Sequence, residues 1–279
     1  MLRILDARTG EPIDAALARR GLIRVHAHVP GFDTTGLRVL LVADVLVRAL
    51  EIGGSPVWAT LTSAPDPADP ADQVDSSDPS NPLNPSSPSN PSSPSDGGDP
   101  VGPSGAAGLR ASAAQLGIRP FEDHRDAGPG PAATQAIDVV TPGGAETAGV
   151  RVEVAPVDTR GGSAPAPADP TVLRLALLAR RRDQPLRLDA ADLAEAEGTL
   201  KRWRAAVAGW ATRPSKPVPD DVRARLRGAW EDDLDIPAVL EVLRWVETSD
   251  VAEGARFETY AYADRLLGLE LTREIGASL

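Results

Sequence analysis

A few groups of side chains in this 279-residue sequence have types and spacings that could do chemistry. Asp33-Thr34-Thr35-Gly36 stands directly ahead of an apolar run. The free N–H groups and dipole of a helix start favour an anion, so Thr34, Thr35 and Gly36 could cradle a phosphate. The same residue types are ordinary helix caps, and capping is the better reading. His26 and His28 lie two apart on a strand-like segment beside Pro30-Gly31. Either imidazole could ligate zinc, but ligation needs further partners, and a packed or surface pair is the simpler reading. Asp232, Asp233 and Asp235 could suggest a divalent-cation site, although acids gathered at a helix start usually offset its dipole. Arg180-Arg181-Arg182 could touch RNA, or simply complement the negative end of a helix.

Composition narrows these choices. The net charge of −11 disfavours tight binding to bulk nucleic acid unless basic residues cluster. There is no cysteine, so a disulfide framework, a thiolate nucleophile and a cysteine-ligated metal are excluded. Lys201 and Lys216 are the two lysines; the other basic side chains are arginines. No apolar run is long enough to span a bilayer, so a cytoplasmic protein with no membrane partner is expected.

The elements that must position these groups follow from periodicity. Leu22 to Val29 alternates apolar and polar positions and reads as a strand. Leu37 to Ile52 is apolar almost all round and ends in Gly53-Gly54, which predicts a capped, mostly buried helix. Pro56 to Leu61 reads as the next strand, completing one βαβ unit of a doubly wound domain. From Pro65 to Pro103 the chain is mostly Pro, Ser, Asp, Asn and Gly, with seven aspartates and no lysine or arginine. Such a stretch cannot offset its ordering entropy by burial, which predicts a disordered linker over 64–108. Leu109 to Leu116 reads as a short helix, and Ile137 to Val140 with Val150 to Val154 as two strands, a hairpin or a sheet edge. Five amphipathic helices are then expected in the last third. The first spans Pro170 to Arg182, and the next three start at Asp189, Asp220 and Asp235. The fifth runs from about Gly254 to Leu267 and stops at Gly268. Short connections between them imply an antiparallel helical bundle over 168–279. The fold class expected is therefore α/β plus all-α: residues 1–63 and 109–167 form a reduced Rossmann-like domain, joined to the C-terminal bundle.

Several segments resemble the cysteinyl-tRNA synthetase family of class I aminoacyl-tRNA synthetases. Ala168 to Trp203 is similar to the stretch in which an Asp-Pro opens that family's helical domain. Trp230 to Val246 (WEDDLDIPAVLEVLRWV) and Ala255 to Leu271, with its Asp-Arg-Leu-Leu-Gly-Leu, resemble two later helices. Met1 to Pro12, Arg24 to Val47 (including Asp44-Val45-Leu46) and Ala111 to Arg125 resemble pieces of the catalytic half. The resemblance implies ATP as cofactor and cysteine–tRNA ligase as the family activity. It also shows departures. Aligned on Gly36, the family's His-x-Gly-His turn reads Thr34-Thr35-Gly36-Leu37, without either imidazole. The Gly143 to Pro167 stretch contains no lysine to serve the second signature. His28 falls near the first zinc cysteine of the family, and zinc is not expected here. The anticodon-reading extension that the resemblance implies after the bundle is expected to be missing, and tRNA binding is expected to be weak or absent. No catalytic or metal-ligating residue is assigned, and Thr34, Thr35 and Gly36 are the sole cofactor-site candidates. The expectation is a non-catalytic binding or regulatory module with an unidentified protein partner. The alternative is an ATP-dependent adenylate-forming ligase, acting as a cysteine–tRNA ligase or like the cysteine ligase of mycothiol synthesis.

Overall fold

The computed structural model describes residues 1–16, 21–63, 105–124, 133, 135–144, 147–159 and 167–276. The linker expected over 64–108 falls outside these residues except at its end, where a helix already begins at Gly105. In chain order the first elements are β1 (Arg3–Asp6), β2 (Glu11–Asp14), β3 (Ile23–Val29), α1 (Thr34–Ile52) and β4 (Val57–Ser63). There follow α2 (Gly105–Gln115), β5 (Glu122–Asp123), β6 (Gln135–Val140), β7 (Val150–Glu153) and β8 (Val157–Asp158). The last third holds α3 (Pro170–Leu178), β9 (Leu186–Arg187), α4 (Ala190–Trp210), α5 (Asp220–Glu231), α6 (Ile236–Thr248) and α7 (Glu253–Leu267).

Five strands form one all-parallel sheet in the order β5-β4-β3-β6-β7. The chain enters at the central β3, steps outward to β5, then returns to the other side of β3 for β6 and β7. This Rossmann-like order reverses direction between β3 and β6, and that reversal is where open α/β sheets place their ligand crevice. β6 and β7 are thus parallel neighbours, and the hairpin reading of these two segments is corrected. Periodicity identifies a strand but carries no information about the direction of its partner. The opening segment supplies two more strands. β1 pairs antiparallel with β2 in a separate ribbon, which joins the main sheet's edge through Ala7 N–H donating to the Arg151 carbonyl at 2.9 Å.

The two faces of the sheet differ sharply. Ile23, Val25, Ala27 and Val29 alternate along β3 and are all buried, and α1 packs against β3. α1 also contacts α2 and α7, so it is covered from both sides, which is why its sequence is apolar almost all round. The right-handed rule places α1 and α2 on the same face, because both crossovers step in one direction. Among the described residues, α1 is the helix packed against β3, β4 and β6. Facing away from α1 are the polar Arg24, His26 and His28 of β3, Thr60 and Thr62 of β4 and Asp138 of β6, together with Trp58, Ala136 and Val140. A parallel sheet ordinarily reads as near-continuous apolar strands because helices cover both faces. The alternation in β3 marks one apolar face, which α1 covers, and one polar face.

Two buried charges join the sheet layer to the C-terminal helices. Arg38 of α1 is 0% exposed and donates to the carbonyls of Ala155, Gln184 and Arg181 at 2.8–2.9 Å, with a longer bond of 3.4 Å to Arg180. A second correction is that α3 ends at Leu178 rather than Arg182: the chain turns there so that the Arg180, Arg181 and Gln184 carbonyls converge on the Arg38 guanidinium. Asp44, one helical face along, pairs with Arg174 of α3 at 2.9 Å, both side chains 0% exposed. Further on, α4 starts with a reciprocal capping box between Asp189 and Asp192. α6 is capped by Asp235, and α7 ends at Gly268 with φ of +62°. Asp220 is the first residue of α5 rather than its cap, which is Pro219.

Candidate functional site

The reversal between β3 and β6 gathers two sets of side chains at the carboxyl ends of the strands. The first is the start of α1. The Asp33 side chain accepts from the Gly36 N–H at 2.8 Å, and the Leu37 N–H bonds to the Asp33 carbonyl at 3.0 Å. Thr34 is buried, and the Thr35 hydroxyl accepts from the Val157 N–H at 3.1 Å. Gly36 has a steric role: a Cβ there would lie 2.2 Å from the Gly31 carbonyl oxygen and 2.9 Å from the Val29 side chain. The glycine is what lets the loop after β3 fold tightly onto the helix. A phosphate seeking the Gly36 N–H would have to displace a carboxylate, so these residues do not fit that group as they stand.

The second set lies on the polar face. All three histidines of the sequence meet there: His26 and His28 have ring centroids 4.3 Å apart, and His124 sits edge-on to His26 at 4.8 Å. His26 Nδ1 is 2.7 Å from the Thr60 hydroxyl and Nε2 is 3.0 Å from that of Thr62. His28 Nε2 lies 3.1 Å from Asp138 Oδ1, bridging the two strands at the reversal. Burial, reinforced by the charges of His28 and His124, pushes His26 down from 6.5 to about 4. Burial works against ionisation of Asp138, but the hydrogen bond and charge of His28 outweigh it and hold its carboxyl below the usual range. The set can present hydrogen-bonding side chains to a ligand. Both His26 nitrogens are already engaged, and among the described residues no group of three or more His, Asp or Glu side chains is placed to hold a metal ion.

The His26 shift has a testable sign. The unfolded chain binds a proton at this residue below about pH 6.5, whereas the folded one does so only below about 4. The folded state therefore loses stability as pH falls from 6.5 to 4, and this residue adds no further loss below that. Melting temperatures of wild type and His26→Asn should diverge in slope across that window, with the wild type steeper. Parallel slopes would mean that His26 titrates normally.

The other sequence candidates, apart from Arg180, resolve into ion pairs. Arg181 pairs with Asp235 at 2.7 Å and with Asp233 at 3.3 Å, and Arg182 pairs with Asp233. Asp233 also accepts from the Leu5 N–H at 2.9 Å, and Asp232 pairs with Arg3 at 3.5 Å. The acidic cluster and the arginine run thus meet each other, fastening β1 to the junction of α3 with the α5–α6 turn. Asp138, Thr60, Thr62 and His124 were not singled out by sequence reasoning. The one local signal for them was the polar alternation of β3.

No family model matches the chain. It is similar over part of its length to L-cysteine:1D-myo-inositol 2-amino-2-deoxy-alpha-D-glucopyranoside ligases. The ligase of Catenulispora acidiphila is 42% identical over 87 residues, 31% of this chain and 19% of that protein. That of Streptosporangium roseum is 38% identical over 109 residues, 37% of this chain and 26% of the relative. That of Streptomyces griseus is 39% identical over 108 residues, covering 37% and 25%. The chain therefore matches cysteine ligases over about a third of its own length and spans about a quarter or less of theirs.

Proposed function

We propose that this chain is a ligase-related binding or regulatory module that does not activate ATP, and that it works on a protein partner in the cytoplasm. The observation that carries this reading is the Asp33 carboxylate, held 2.8 Å from the Gly36 N–H at the start of α1. A negative group in that position repels phosphate and satisfies a donor that phosphate would need. The aligned turn adds no cation of its own, since it reads Thr34-Thr35-Gly36-Leu37. The similarity to cysteine ligases favours a second reading, in which the α/β half still forms an aminoacyl adenylate from ATP and cysteine or another amino acid.

Pyrophosphate exchange dependent on ATP and cysteine separates the two. The module reading expects none above background, and calorimetry with millimolar Mg-ATP should show no binding heat. Exchange above background would sink it. Asp33→Asn offers a sharper comparison, because asparagine still caps the helix while removing the charge. It should leave the melting temperature nearly unchanged, whereas Asp33→Ala should cost about 1 kcal/mol through loss of the cap. Under the second reading, Asp33→Asn should strengthen nucleotide binding by relieving repulsion.

A further inference from the structure

A hollow opens among the C-terminal helices where α6 meets α3 and α4. α3 packs against α4, whereas α6 packs against α5 and α7. α6 is tied to α4 near its end, where Glu247 accepts from the Arg202 guanidinium at 2.9 Å and from the Trp203 indole N–H at 3.0 Å. One turn earlier on both helices, Arg244 and Thr199 line a cleft of about 240 Å³ instead of a contact. Ala176 and Ala179 from the end of α3 and Ala196 of α4 border it, and side chains this small cannot fill it. Leu175 and Leu186, both buried, complete an apolar floor.

The lining is charged in both senses. Arg180 and Arg244 share the cleft with Asp192 and Glu195, and all four are exposed. Asp192 and Glu195 are three residues apart, which puts them on one side of α4. Among the described residues none of the four makes an ion pair, so opposite charges surround the cleft without closing it. Thr199 adds an unpartnered group. It is 7% exposed and its hydroxyl makes no hydrogen bond among the described residues, whereas the buried Thr259 hydroxyl donates to the Ala255 carbonyl at 2.7 Å. Buried hydroxyls are ordinarily satisfied, by protein or by something bound. Guanidiniums pair with carboxylates, carboxylates pair with an ammonium, and the floor favours hydrocarbon. A ligand of one charge would leave half of this lining unanswered. The volume lies a little below the roughly 300–1,000 Å³ of pockets for drug-sized molecules, the scale of a single amino acid. We infer that this cleft binds a free aliphatic α-amino acid. Arg180, Arg244 and the Thr199 hydroxyl hold its carboxylate, Asp192 and Glu195 hold its ammonium, and its side chain lies over Leu175 and Leu186. Such a ligand would fasten α6 to the α3–α4 pair.

The test is thermal unfolding of the full chain titrated with L-valine. Three analogues accompany it: isovalerate lacks the ammonium, isobutylamine lacks the carboxylate, and glycine lacks the side chain. Valine should raise the melting temperature saturably, by roughly 5 °C or more at a hundredfold excess over its Kd, and each analogue should do so more weakly. Arg244→Gln and Glu195→Gln should each raise the Kd for valine about tenfold, since each removes a charge-assisted partner. Both side chains are exposed and unpaired, so both variants should fold as the wild type does. No response to valine, an equal response to any analogue, or an unaltered Kd in either variant would overturn the assignment. An unaltered Kd in both is also what amino-acid binding in the α/β half would give.

Discussion

Asp44→Ala should lower the free energy of unfolding by about 3–5 kcal/mol, the largest loss expected from any single side chain here. Asp44 is completely buried and answers three guanidiniums: Arg174 at 2.9 Å, Arg48 at 2.8 Å and Arg119 at 3.2 Å. Arg174 is equally buried, and its remaining donors reach the carbonyls of Leu267 and Leu116 at 2.6 and 2.9 Å. Removing the carboxylate leaves a buried cation beside two others, and it cuts the tie between α1, α3 and α7 at one point. A domain's whole stability is ordinarily about 5–15 kcal/mol, so the variant should be close to unfolding at 37 °C. Urea titration followed by fluorescence of the buried Trp203, Trp210 and Trp230 would measure the loss. Replacing the pair together, as Asp44→Leu with Arg174→Met, should recover much of it, because apolar pairs of similar volume often match a buried ion pair. Failure of the double variant to recover would show that Arg48 and Arg119 depend on the same carboxylate. The pH dependence has a definite sign. Burial pushes the Asp44 carboxyl up, but Arg174 and Arg48 outweigh it and hold it below 3.8. Its contribution is therefore complete above the ordinary carboxylate range and is lost as pH falls through its lowered value.

Gly36→Ala should cost about 1–3 kcal/mol, although it adds only one methyl group. The new Cβ would meet the Gly31 carbonyl oxygen at 2.2 Å, and a backbone atom cannot swing aside as a side chain would. The loop of residues 30–33 would have to lift from α1, which also weakens the bond from the Gly36 N–H to Asp33. Gly31→Ala is the natural control. A Cβ there meets nothing within 4 Å, so its effect should stay within about 0.5 kcal/mol. Equal melting temperatures for Gly36→Ala and wild type would show that the loop is free to move, and would remove the steric reason for a glycine at this point.

The features legible in the sequence are the ones governed by neighbours in the chain. Asp33, Asp189 with Asp192, Asp235 and Gly268 announced helix ends, because a cap is made within three or four residues of itself. The all-round apolar pattern of α1 announced burial on two sides. The alternation of β3 announced one apolar and one polar face, although it took the sheet order to say what the polar face was for.

What the tertiary structure decided is everything that depends on distant partners. The direction of β7 against β6, the return of the chain past β3, and the separate β1–β2 ribbon are pairings, and a strand's own period of two fits any of them. Asp44 stood inside a segment that resembled a family motif, yet its partners Arg119 and Arg174 lie 75 and 130 residues away. His26 and His28 looked like a lone pair until the fold brought Thr60, His124 and Asp138 to them. Thr34, Thr35 and Gly36 read from residue types alone as a cap first and a phosphate cradle second. Local chemistry fixes which groups can donate and accept. Which of them meet depends on how the chain closes its long loops, and a one-dimensional pattern cannot encode that geometry.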